Sequence, residues 1–184
     1  MIMASHTTSS VQRLKSKNIF VRTVQNISSF AGWCSALMIL SAVFLTCQMI
    51  FIRFVLNGST VWQTEYVVFL VIAATLIGLP FVQFQRGHVN VDLIPVILKG
   101  RVRFALAILT LSLSIVITAI MLFYGYEHWH FAWERGWTSD TVTAVPLWIP
   151  YLSLPLGFGL LLLQFIADFI ALLTKSETPF GLEG

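Results

Sequence analysis

The segment Arg86-Gly87-His88-Val89-Asn90-Val91-Asp92 puts a guanidinium, an imidazole and a carboxylate on one short stretch of chain. Arg86 and His88 can donate hydrogen bonds to lipid phosphates or to carbonyls at a helix end, and Asp92 can accept from Arg86, His88 or a nearby backbone amide. Gly87 permits a tight turn, and on a helix His88 and Asp92 would share a face at i,i+4. This is the chemistry of a clamp, and the chain carries no phosphate-binding glycine loop or nucleophile motif beside it. A second concentration, Glu127, His128, His130 and Glu134, could gather a loosely bound cation. His128 and His130 are two apart, however, which on a helix turns them to different faces.

The elements that must position these groups are set by charge. Residues 23–52, 66–85, 104–126 and 141–167 contain no Asp, Glu, Lys or Arg. Each is long enough to cross a ~30 Å hydrocarbon layer as a helix of about 20 residues. Of the 184 residues 57% are hydrophobic and 10% charged, with mean hydropathy +0.84, far from a soluble domain with about 25% charged residues. A membrane barrel would alternate polar and apolar positions, and these runs are continuously apolar. The expected fold is an all-α integral membrane protein, one domain over 1–184 with four transmembrane helices at about 27–52, 64–85, 104–126 and 147–173. Residues 11–21, with Val11, Leu14 and Val21 toward lipid, and residues 88–98 are expected as short amphipathic surface segments.

Arg13, Lys15, Lys17, Arg22, Arg86, Lys99, Arg101, Arg103 and Lys175 fall on one side of these spans, while Arg53 and Arg135 fall on the other. The basic excess marks the cytoplasmic side, giving a cytoplasmic start at 1–22, a cytoplasmic loop at 86–103, a periplasmic loop at 127–146 and both termini inside. The net charge of +3 thereby expresses topology and contact with anionic lipids, not nucleic-acid binding. The basic start followed by an apolar run also resembles a signal peptide or an organellar transit peptide, but its apolar part is too long for the first, and it is read as a retained helix.

Other membrane functions leave marks this sequence lacks. A haem-binding redox anchor needs axial ligands at depth on facing helices, yet His6, His88, His128 and His130 all lie outside the apolar runs. Cys34 and Cys47 lie 13 positions apart in the first run; at 1.5 Å per residue they are roughly 20 Å apart, too far for a disulfide. A carrier usually has ionisable groups or broken helices in the membrane; here Glu65, Arg86 and Asp168 sit only at or near the ends of the runs. No cofactor is expected.

Three further pieces carry a specific pattern: Trp62-Gln63-Thr64-Glu65-Tyr66 entering the second helix, the Arg86-Gly87-His88 to Asp92 segment after it, and Pro146-Leu147-Trp148 with Tyr151 and Pro155-Leu156-Gly157 entering the fourth. Together they resemble the small permease subunit of tripartite ATP-independent periplasmic (TRAP) transporters. The resemblance implies a bacterial inner-membrane protein that is not an enzyme. It would scaffold a separately encoded large permease for sodium-coupled uptake of an organic acid, such as sialic acid or a C4-dicarboxylate, delivered by a periplasmic substrate-binding protein. It also favours a structural clamp at Arg86, Gly87, His88 and Asp92 over an ordinary basic loop held by lipid headgroups. Arg53 and Glu65 would pair across the first loop or reach one partner. Trp129, Trp133, Arg135 and Trp137 would form either an aromatic belt or a docking surface for the binding protein. A membrane anchor for a redox complex and a stand-alone adaptor remain the alternatives. Gly32 and Ala36 offer a small-xxx-small spacing for close helix approach.

Overall fold

The computed structural model describes residues 19–85 and 101–174. They form α1 (Ile19–Val55), α2 (Val61–Phe84), α3 (Arg101–Glu134), the single turn α4 (Trp148–Tyr151) and α5 (Ser153–Leu173). α4 and α5 follow one another as one apolar span, so the described chain holds four helical spans long and apolar enough to cross a membrane. Among the described residues the one pairing of extended backbone is the bridge between Thr138 and Pro146.

α1 and α2 form an antiparallel hairpin. The Thr64 hydroxyl donates to Met49 Sδ at one end, and Gly32 faces the Phe81 ring toward the other. The hairpin turns where Asn57 takes a positive φ of 49°, a conformation that asparagine tolerates better than most side chains, and Gly58 N donates back to Ile52 O at 3.1 Å. α5 is the centre of the assembly, packing on α1, α2 and α3. Of its most apolar stretch 39% is buried within the chain, against 6% for α1 and 11% for α2 and α3.

Lipid is as apolar as a leucine side chain, so these helices associate through close packing and hydrogen bonds rather than through the hydrophobic effect. Beyond Gln25 the buried residues of α1 are accordingly small: Ser28, Ala31, Ser35 and Ala42. Opposite Ser35 stand Ala74 and Gly78 of α2, and the Ser35 hydroxyl donates to Ala74 O at 2.7 Å. Of the expected Gly32 and Ala36 pair, Gly32 packs on Phe81 whereas Ala36 is exposed. At the α2 and α5 crossing, a Cβ on Gly157 would stand 2.7 Å from Leu76 O. Only glycine allows that approach.

Two helices outrun the apolar stretches that suggested them. α1 has 37 residues and α3 has 34, about 55 and 51 Å at 1.5 Å per residue. At the start of α1, Val21 is fully buried in a cluster with Val24, Ala167 and Ala171, so it packs inside the bundle against α5 instead of facing lipid from a surface helix. At the far end, α3 continues through residues expected in the periplasmic loop, because interactions at helical spacing add turns after the first charge. Tyr126 packs on Trp129 and His130, Trp129 on Trp133, and His130 Nδ1 lies 3.7 Å from Glu134.

Candidate functional site

A buried polar knot lies where α1, α2 and α5 meet. Gln164 and Asp168 are one turn apart on α5, which aims both side chains at the hairpin. Asp168 Oδ1 accepts from Gln164 Nε2 at 2.8 Å, and Asp168 Oδ2 accepts from Gln83 Nε2 of α2 at 3.0 Å. Gln164 Oε1 in turn accepts from the Ser28 hydroxyl of α1 at 2.8 Å. Gln164 is fully buried, Ser28 is 2% exposed and Asp168 7%. Breaking such a chain strands polar groups where little water can reach them, which costs more than the bonds contribute net. The knot therefore fixes the register of three helices.

A second carboxylate works at the opposite end of the bundle. Glu65, in the first turns of α2, is 9% exposed. Its Oε2 accepts the Thr141 hydroxyl at 2.6 Å and also the Thr143 hydroxyl, so one oxygen holds both flanks of Val142. Ser139 Oγ lies 3.0 Å from Thr141 Oγ1. Ser139 N donates to Val145 O at 2.9 Å and Leu147 N to Trp137 O at 2.8 Å, pinching the loop at its base. Positive φ at Gly136 (59°) and Ala144 (42°) turns the chain at either side.

Around this loop the aromatic residues interlock. The Trp133 and Trp148 rings meet edge to face at 4.6 Å between centroids, and Trp137 meets Phe131 at 5.2 Å. His128 lies 4.8 Å from Tyr151, and the Arg135 guanidinium sits 3.9 Å over the Phe131 ring in a cation–π contact. A groove of about 540 Å³ runs between α3 and α5 below them, lined by Met121, Tyr124, Glu127, His128, Leu154 and Phe158 among others.

The residues singled out in the sequence separate into three groups. Arg86, Gly87, His88 and Asp92 lie outside the described residues. Arg53 and Glu65 are both placed, but no ion pair joins them: Arg53 Nε donates to the Thr60 hydroxyl at 3.1 Å, while Glu65 takes the loop threonines. Trp129, Trp133, Arg135 and Trp137 come together, each with a ring partner from this chain. The four candidate cation ligands do not converge, because His130 pairs with Glu134 while His128 turns toward Tyr151. The Gln164–Asp168 knot left no mark in the pattern of charges. Asp168 falls one residue beyond an apolar run, and the uncharged Ser28, Gln83 and Gln164 leave the runs intact. The legible signal was Gln164 with Asp168 at i,i+4, with an amide, Gln83, on a second helix.

Residues 42–175 match the family model described as tripartite ATP-independent periplasmic transporters, DctQ component. The C4-dicarboxylate TRAP transporter small permease protein DctQ of Vibrio cholerae is 24% identical over 168 residues, covering 80% of this chain and 72% of that relative.

Proposed function

The chain belongs to the DctQ family of small TRAP permeases and is a multi-pass protein of the bacterial inner membrane, and from that premise we propose that it is the static support of a large permease that moves an organic acid. The observation that carries this reading is the inner knot. An ionisable group inside a membrane helix is by default a candidate for an ion path. Here the Asp168 carboxylate accepts amide donors from α2 and from its own helix, an arrangement suited to holding helices in place. Moving a cation past it would require that network to open.

In this account the large subunit carries the substrate and the coupling sodium, and a periplasmic binding protein delivers the cargo. C4-dicarboxylates are the first substrates to test, since the Vibrio cholerae relative is named for them; sialic acid is the second. Both termini and the loop that carries Arg86, Gly87, His88 and Asp92 face the cytoplasm, following the basic residues. That loop acts as a clamp on lipid phosphates or on the large subunit. The outer loop pinned by Glu65 faces the binding protein.

The test is reconstitution. The tagged chain should copurify with its large permease at one to one. Proteoliposomes containing both should take up a C4-dicarboxylate or sialic acid when given the binding protein and an inward sodium gradient. Full uptake by the large subunit alone would refute the support role, and copurification with haem or flavin subunits instead would refute the transporter reading.

A further inference from the structure

The groove between α3 and α5 changes character along its lining. Met121, Leu154 and Phe158 belong to the charge-free runs 104–126 and 141–167, whereas Glu127 is the first charge beyond the run of α3. The groove therefore straddles the level where hydrocarbon gives way to headgroups. Glu127, Phe131 and Arg135 recur at i, i+4 and i+8 on one face of α3. The Arg135 side chain folds back toward the start of its helix, as helical side chains lean, so that its guanidinium lies 3.9 Å over the Phe131 ring. Phe131 itself lines the groove with Glu127. The fold-back leaves the positive charge roughly one helical turn of 5.4 Å from the level of Glu127, yet no ion pair joins the two. Opposite charges held a turn apart and unpaired beside an apolar groove complement a dipolar headgroup carried on an acyl chain.

We propose that this groove binds one phospholipid with a zwitterionic, primary-amine headgroup, of the phosphatidylethanolamine type. Its acyl chain lies along Met121, Leu154 and Phe158, its phosphate meets the Arg135 guanidinium and its ammonium donates to the Glu127 carboxylate. The same features disfavour other occupants. A soluble protein would have to reach below the headgroup level to touch Phe158. A membrane helix laid in the groove would cover Glu127 and Arg135 away from water with neither charge paired, which is costly. An anionic headgroup would satisfy Arg135 but set a second negative charge against Glu127. A choline headgroup offers that carboxylate no N–H donor. The inference needs only that α3 and α5 span a membrane, so it stands apart from the transporter reading.

The experiment uses the full chain, gently purified with whatever subunits accompany it and stripped of lipid by detergent exchange. It is then titrated with phosphatidylethanolamine, phosphatidylglycerol or phosphatidylcholine under native mass spectrometry. The parent should retain one phosphatidylethanolamine about tenfold more tightly than either of the others, the scale of one charge-assisted hydrogen bond. Glu127→Gln should erase the preference over phosphatidylglycerol. Arg135→Ala should weaken all three lipids, since each carries the phosphate, and so should Met121→Trp, which fills the groove without removing either charge. Glu134→Gln, on α3 but outside the groove lining, should bind like the parent. All four positions are exposed, so thermal unfolding midpoints should stay at the parent value. Equal retention of the three lipids, or tighter retention of phosphatidylglycerol, overturns the inference. A preference that survives Glu127→Gln, or that Glu134→Gln removes equally, overturns it as well.

Discussion

Gln83 and Asp168 are 85 positions apart in the chain and 3.0 Å apart in the structure, joined by a hydrogen bond from the amide nitrogen to the carboxylate. That bond closes the end of the bundle opposite Glu65, because it links the α1–α2 hairpin to the central helix that also receives α3.

Removing the carboxylate strands the amides that aim at it. Asp168→Leu should lower the midpoint of thermal unfolding in mild detergent. Asp168→Asn keeps one accepting oxygen and should cost less. Gln83→Leu should cost about 0.6 kcal/mol, the average for interhelical hydrogen bonds in a membrane protein, and at most about 1.7 kcal/mol. Equal unfolding midpoints for Asp168→Leu and the parent would show that the knot does not hold the helices.

The Glu65 pin is separable from the knot. Glu65→Ala, or Thr141→Val combined with Thr143→Val, should raise hydrogen exchange in the loop amides bounded by Trp137 and Leu147. The α1–α2 hairpin should keep its protection, since Arg53 is held by Thr60 and not by Glu65. Unaltered loop exchange in either variant would mean that the backbone pinch suffices.

Two glycines of α5 make a paired test of close approach. At Gly157 an added Cβ would lie 2.7 Å from the Leu76 carbonyl oxygen, whereas at Gly159 its nearest neighbour would be Leu122 Cδ1 at 3.8 Å. Gly157→Ala should destabilise by about 1–3 kcal/mol, as overpacking does, and should reduce the folded yield. Gly159→Ala should match the parent. Similar losses at both sites would place the α2–α5 contact elsewhere.

How much of this could be read from the chain depends on which signal each feature leaves. Four spans were legible because Arg, Lys, Asp and Glu are excluded from hydrocarbon, so their absence over residues 104–126 forecasts a helix. The end of α3 was not legible in that way. Glu127 terminates the apolar run, yet Tyr126, Trp129, His130 and Trp133 pack at helical spacing and carry the helix to Glu134. Val21 misled through its place in a basic segment, since its burial depends on Ala167 and Ala171, far away in sequence. The knot stayed hidden because glutamine and serine cost a hydropathy scan little, and their partners are fixed only once α2 and α5 cross. Glu65 was legible as a chemical group, but its partners lie on a loop 76 and 78 positions away.

The clamp predicted from the sequence has its own test. Arg86→Ala or Asp92→Ala should lower organic-anion uptake by the reconstituted transporter while the binding protein keeps its affinity for the anion. Normal uptake by both variants at full expression would remove the clamp.

The most direct test of a static small subunit is to lock it and ask whether transport continues. A Cβ built at Gly78 would stand 3.4 Å from Ser35 Cβ, close to the Cβ separation of roughly 3.5–4.5 Å that a disulfide spans. Ser35→Cys with Gly78→Cys, in a background where Cys34 and Cys47 are serine, would join α1 to α2 covalently. Sodium-driven uptake should then be the same oxidised and reduced. Uptake that collapses on oxidation and returns on reduction would mean that this hairpin moves during transport, and the account of a fixed support would be wrong.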